Sequence, residues 1–241
     1  MRRFGIIGFV AAFALGMASH AYGAAMLMLT DAGTGLTVTI TDNGGCVGTG
    51  CGGFTTSSPG VYDLAPAVAG QLIASGTLGV WNINVTTGLT KPASGSVMNP
   101  SMDLNTINNS TGAGTITIKF TDTGFGPFAG GGFLDHIGGT TVGTVSASEL
   151  YDGNNQPFAG TTIATLGPFA TPAFSQTVSS LGVAGTFPFS LTQVVVISHG
   201  GVGTTSLDYM KTPVPEPASL LLLGSGLIGF GYLRRRRKVG A

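Results

Sequence analysis

The carboxyls that could work as a pair in this sequence are Glu149, the one glutamate between the chain's two end segments, and Asp152. Hydrolysis of a glycosidic bond needs two such acids placed close together, one of them held protonated by its surroundings. Glu149 and Asp152 flank Leu150 and Tyr151 where a strand gives way to a turn, so the same residues read as an exposed acidic edge, and no catalytic residue is assigned. Asp135-His136 precedes a glycine pair and reads as a polar pair in a loop; His199 ends a hydrophobic stretch and reads as a solvated strand terminus. No Gly-x-Ser-x-Gly elbow follows a strand, and Gly130-Gly131-Gly132 lacks the lysine and helix of a phosphate loop. Asp31, Asp42, Asn43, Asp122, Asp152, Asn154 and Asn155 fall in turns and offer oxygens of the kind calcium takes. Turn formation accounts for them more simply, so neither a metal nor a cofactor is expected. Cys46 and Cys51 are the only cysteines, and Val47-Gly48-Thr49-Gly50 between them is flexible enough to let them close a disulfide.

The elements that would position these groups are strands. Residues 36–41, 80–86, 101–107 and 114–121 alternate apolar with polar or hydroxyl side chains, the period of a half-buried strand. In the second of these, Trp81, Ile83 and Val85 share the face expected to be buried; in the third Met102, Leu104 and Thr106 do, and in the fourth Ile116, Ile118 and Phe120. Further strand character lies at 61–64, 71–79, 140–148, 161–166, 175–178, 187–198 and 206–210, with Val194-Val195-Val196-Ile197 expected to be buried on both faces. Residues 122–127 read as a turn and 91–95 as a loop. Trp81 therefore reads as core; its exposed alternative is a stacking platform for a sugar, a role that Tyr62, Tyr151 and Tyr209 could share. About ten short strands, with turn residues between them and no long amphipathic helix, give an all-β fold: one antiparallel two-sheet sandwich. No fixed-period repeat supports a β-helix instead.

Composition agrees with that class. Charged residues make up 8% of the chain against the usual quarter or so, and 41 of 241 residues are glycine. Met1-Arg2-Arg3, an apolar stretch over 4–17 and small residues at Ala21-Tyr22-Gly23 form a signal peptide of the general secretion route, removed by signal peptidase after residue 23 or 24. At the other end, Val214-Pro215-Glu216-Pro217 is followed by an uncharged run over 218–233 and then by Arg234, Arg235, Arg236, Arg237 and Lys238. As a helix that run reaches about 24 Å, short of the roughly 30 Å hydrocarbon core but able to span it when the flanking arginines snorkel. The basic cluster belongs on the cytoplasmic side, which places everything upstream outside the inner membrane. Between the end segments Lys91, Lys119 and Lys211 face nine acidic residues, a balance that disfavours nucleic acid as a partner.

The order of Pro-Glu-Pro, short apolar helix and arginine cluster resembles the PEP-CTERM sorting signal of Gram-negative bacteria. That resemblance implies recognition by exosortase, a membrane transpeptidase that processes the tail, and passage through a membrane-anchored intermediate to the cell surface or extracellular matrix. The expected organisation is a signal peptide at 1–23, a β-sandwich body at 24–212 and a sorting tail at 213–241. The expected role is that of a non-catalytic structural or adhesive surface protein linked to exopolysaccharide and biofilm. A carbohydrate-binding module, and behind it a polysaccharide-acting enzyme, are the alternatives.

Overall fold

The computed structural model describes residues 23–128, 130–181, 187–215 and 225–227. Residues 1–22 of the expected signal peptide, Glu216, Pro217 and the basic cluster lie outside them, as does the apolar run except for residues 225–227, which are helical. Among the described residues no helix is long and apolar enough to cross a membrane.

In chain order the strands are β1 (Met26–Asp31), β2 (Thr37–Thr41), β3 (Cys46–Val47), β4 (Gln71–Leu78), β5 (Trp81–Leu89), β6 (Gly95–Ser96), β7 (Asn99–Pro100) and β8 (Met102–Ser110). They continue with β9 (Gly114–Phe125), β10 (Gly130–Thr141), β11 (Thr144–Asp152), β12 (Thr161–Phe169), β13 (Ala173–Leu181), β14 (Phe189–His199) and β15 (Gly203–Pro215). Seven strands form one sheet in the order β12-β11-β14-β9-β1-β2-β3, and six form the other in the order β13-β10-β15-β8-β5-β4. Every pairing in both sheets is antiparallel.

The expected sandwich is thus present, with more and longer strands than the sequence suggests. Its core forms where the period-two pattern puts apolar side chains inward: Leu27 and Leu29, Val38 and Ile40, Trp81 and Ile83, Met102 and Leu104, Ile116, Ile118 and Phe120, Val195 and Ile197 are all buried. β1, whose Leu27 and Leu29 supply part of that core, has no counterpart among the expected strands. Gly79, at φ 58°, makes the tight turn between β4 and β5 that a side chain would strain.

Several local readings change. Residues 61–64 are an irregular loop, not a strand; the Asp63 carboxylate organises it by accepting the backbone N–H groups of Asn43, Ala65 and Ile73 at 3.0, 2.9 and 3.0 Å. The stretch 140–148 is not one strand: it holds the end of β10, a turn at Val142 and Gly143, and the start of β11. The expected turn at 122–127 is strand as far as Phe125, because Asp122 is satisfied by a partner from the other sheet instead of by its own turn. In β14 it is the first half, Phe189 to Gln193, that is buried on both faces, whereas Val194 and Val196 are half-buried. A register shift in β5 between Ile83 and Val85 turns Thr86 inward, where its hydroxyl meets that of Thr106 at 2.8 Å.

Cys46 and Cys51 form the expected disulfide, their Cα atoms 5.9 Å apart. The loop it closes sits where the two sheets come together at one edge: Gly50 lies against Val38 and Leu78, and Phe54 bridges to Gly76 of β4. The opposite edge is closed by the short link from β12 to β13, with Phe169 stacked on Phe174 at 4.6 Å.

Candidate functional site

The sorting segment leaves directly from the folded sheet. β15 runs through Val214 to Pro215, which pairs with Gly130 of β10, so the last strand continues into the expected tail without a spacer.

Upstream of that exit the inward face of β15 reads Thr205, Leu207, Tyr209, Lys211, every one of them buried. The neighbouring β10 turns Phe133, Asp135 and Ile137 inward, and β11, from the facing sheet, turns Val145, Ala147 and Glu149 inward. Alternation thus carries one amine and two carboxyls onto the apolar face. Asp135 and Lys211 are direct cross-strand partners, and Glu149 reaches them across the core from beside Gln193 of β14. The Lys211 Nζ lies 3.3 Å from Glu149 Oε1 and 3.7 Å from Asp135 Oδ1, with all three side chains fully shielded from solvent. It also sits 3.8 Å from the centre of the Phe133 ring. The Tyr209 hydroxyl donates to Asp135 Oδ1 at 3.5 Å, and Gln193 Nε2 donates to the Tyr209 carbonyl at 2.8 Å. Burial pushes the Asp135 carboxyl up and raises Glu149 to about 8, because low-dielectric surroundings penalise the charged form more than Lys211 favours it.

A second amine is buried on different terms. Lys91, just beyond β5, donates to Asp122 Oδ2 of β9 at 2.7 Å and to the Thr123 carbonyl at 2.6 Å, and so ties one sheet to the other. Asp122 also accepts from the Thr90 hydroxyl and the Thr123 N–H. Burial still raises Asp122 to about 6 and lowers Lys91. Lysines are almost never fully buried unless paired, and two of the three in the body are buried, each beside an acid.

The remaining candidates separate. Glu149 is interior rather than part of an exposed acidic edge, and Asp152 instead caps its own turn, accepting the Asn154 and Gln156 N–H groups. Asp135 and His136 lie in a strand, not a loop, and point to opposite faces: Asp135 inward, His136 out to the Thr177 hydroxyl at 2.8 Å. His199 is buried rather than solvated, held by Ser110 and Thr205 hydroxyls at 2.7 Å each, and burial lowers its pKa. Trp81, with no exposed surface, and Tyr209, equally buried, are core residues and cannot stack on a sugar. Tyr62 and Tyr151 are half-buried and pack against the core. Among the described residues no group of acidic, histidine or cysteine side chains is placed to hold a metal ion.

The raised carboxyls set a pH dependence. Glu149 at about 8, Asp103 at about 7 through burial and its neighbour Asp208, and Asp122 at about 6 keep protons that the unfolded chain has already released, so each costs stability as pH rises towards its folded value. His199 works the other way below its ordinary 6.5, and Lys91 does so on the alkaline side. Between about pH 6.5 and 8 the unfolding free energy therefore falls, by up to about 1.4 kcal/mol per pH unit for each carboxyl titrating there. Urea midpoints across that range check this; a flat or rising profile contradicts it.

Fold and tail define an all-β two-sheet protein that ends in a sorting segment. Residues 213–237 match the PEP-CTERM protein-sorting motif, so the chain carries the signal on which exosortase acts, the mark of a protein exported through a transient membrane anchor to the cell surface. No curated protein matches the sequence. Among solved structures, TmCBM61 in complex with β-1,4-galactotriose is similar at 6% identity over 54% of this chain and 86% of that one, with a TM-score of 0.31. The enzymatically active domain of bacteriophage CBA120 tailspike protein 4 is similar at 13% identity over 55% of this chain and 19% of that one, with a TM-score of 0.28. Neither likeness is close enough to carry an argument about this chain.

Proposed function

We propose that this protein is a surface or extracellular-matrix component whose β-sandwich acts structurally or adhesively, without catalysis, in association with exopolysaccharide. The observation that carries the reading is the sorting motif at 213–237, continuous with the last strand of the sandwich. The interior position of Glu149 supports it, since a polysaccharide does not reach an acid with no exposed surface. On this reading the body covers residues 24–212, Val214 to Pro217 is the segment that exosortase processes, and the cations from Arg234 to Lys238 fix topology. Deleting residues 214–241 and fractionating the cells tests it. The truncated protein is expected in periplasm or medium while the full chain reaches the surface; unchanged surface retention of the truncated form would overturn the reading.

A further inference from the structure

We propose that Lys211 and Asp135 are joined by a side-chain amide bond, formed within the folded protein with Glu149 as the group that moves the protons. The two strands involved are hydrogen-bonded neighbours, and β15 is the strand from which the tail departs, so the bond would fasten that strand to β10 just before the sorting motif begins.

The contrast with Lys91 carries the argument. There the ammonium and its carboxylate satisfy each other and their surroundings, with Asp122, Thr123 and Thr90 all hydrogen-bonded and, among the described residues, no second acid paired with the amine. At Lys211 the Nζ, the Asp135 Oδ2 and both Glu149 oxygens are buried without a hydrogen-bond partner among the described residues, although amine and acids are within 3.3 and 3.7 Å of one another. An ion cluster so placed is costly, because buried polar groups that go unpaired keep their full desolvation penalty. An amide and one neutral acid at the same place carry no charge.

The chemistry balances without a cofactor. Electroneutrality gives the cluster one ammonium, one carboxylate and one carboxylic acid. Lys211 passes a proton to the ionised carboxyl at hand, leaving a neutral amine beside two acids. The amine lone pair attacks Asp135 Cγ and the N–C bond forms; Glu149 protonates the departing oxygen and takes a proton from the nitrogen. The C–O bond breaks and one water leaves, so the products are the amide, water and Glu149 in its acid form. Burial already holds both carboxyls towards that form at neutral pH. The Tyr209 hydroxyl on Asp135 Oδ1 polarises the carbonyl, and the Phe133 ring beneath the amine keeps bulk water from reversing the step.

Intact mass of the purified, reduced protein, followed by tandem mass spectrometry of its peptides, tests the bond independently of where the protein is sorted. The wild-type chain is expected to weigh one water less than its sequence, with the deficit in a branched peptide holding Asp135 and Lys211. Lys211→Arg and Glu149→Gln are expected at full mass. A wild-type chain at full mass overturns the proposal whether or not the variants fold. So does a deficit that maps elsewhere, including Lys91 with Asp122. A deficit that persists in Glu149→Gln overturns the role given to Glu149.

Discussion

Replacing Lys91 by Met lowers the free energy of unfolding by about 3–5 kcal/mol at pH 7.5, because it leaves the Asp122 carboxylate buried without its cation. Methionine keeps most of the stem that packs beside Phe125, whose ring centre lies 3.9 Å from the Lys91 Nζ, so the loss reports the charge rather than the volume. Two further results separate this from an ordinary packing defect. At pH 5, below the value of about 6 at which Asp122 takes up a proton, the carboxyl is largely neutral and no longer needs its cation, so the difference shrinks. Adding Asp122→Leu recovers most of the loss, as expected when a buried ion pair is replaced whole by apolar side chains. Urea unfolding at both pH values measures all three. A deficit under about 1 kcal/mol at pH 7.5 would place the pair with exposed salt bridges, which contribute little.

This pair also shows where a sequence reading stops. Alternation alone places Ile116, Ile118 and Phe120 of one sheet inward, and Met102, Leu104 and Thr106 of the other, and it does so correctly because one face of each strand must be dry. It does not show that β9 runs on through Asp122, since an aspartate followed by Thr123-Gly124 has the chemistry of a turn; only the long-range arrival of Lys91 makes strand geometry the cheaper choice. The polar cluster at Lys211 was within reach. Counting by twos from Leu207 through Tyr209 arrives at Lys211, from Val145 through Ala147 at Glu149, and from Phe133 at Asp135, so each ionisable group falls on an apolar face. What no single strand reveals is that the three faces meet, which depends on β10 pairing with β15 and on β11 lying opposite. His199 reads as a solvated strand end for the same reason: of the two hydroxyls that hold it, that of Ser110 is distant in sequence.

Truncating Trp81 to Ala costs about 3–5 kcal/mol, the range for removing a large buried aromatic side chain and leaving a cavity. The indole is fully buried, its ring centre 4.9 Å from that of His199, on the strand that pairs with β4 and β8. Its Nε1 has no hydrogen-bond partner among the described residues, which fixes what a conservative change does. Phenylalanine fills much of the same space while removing a buried donor that gains nothing, so Trp81→Phe is expected to cost only about 1–2 kcal/mol. Chemical unfolding followed by far-ultraviolet circular dichroism measures both variants, since neither retains a tryptophan. In the wild-type protein the same burial makes a second test of the adhesive reading. A sugar that stacked on Trp81 would change its emission at saturating concentration. With the ring enclosed, polysaccharides that the folded body binds leave that emission unchanged, and any contact they make must be read from Tyr62, Tyr151 or the sheet surfaces instead.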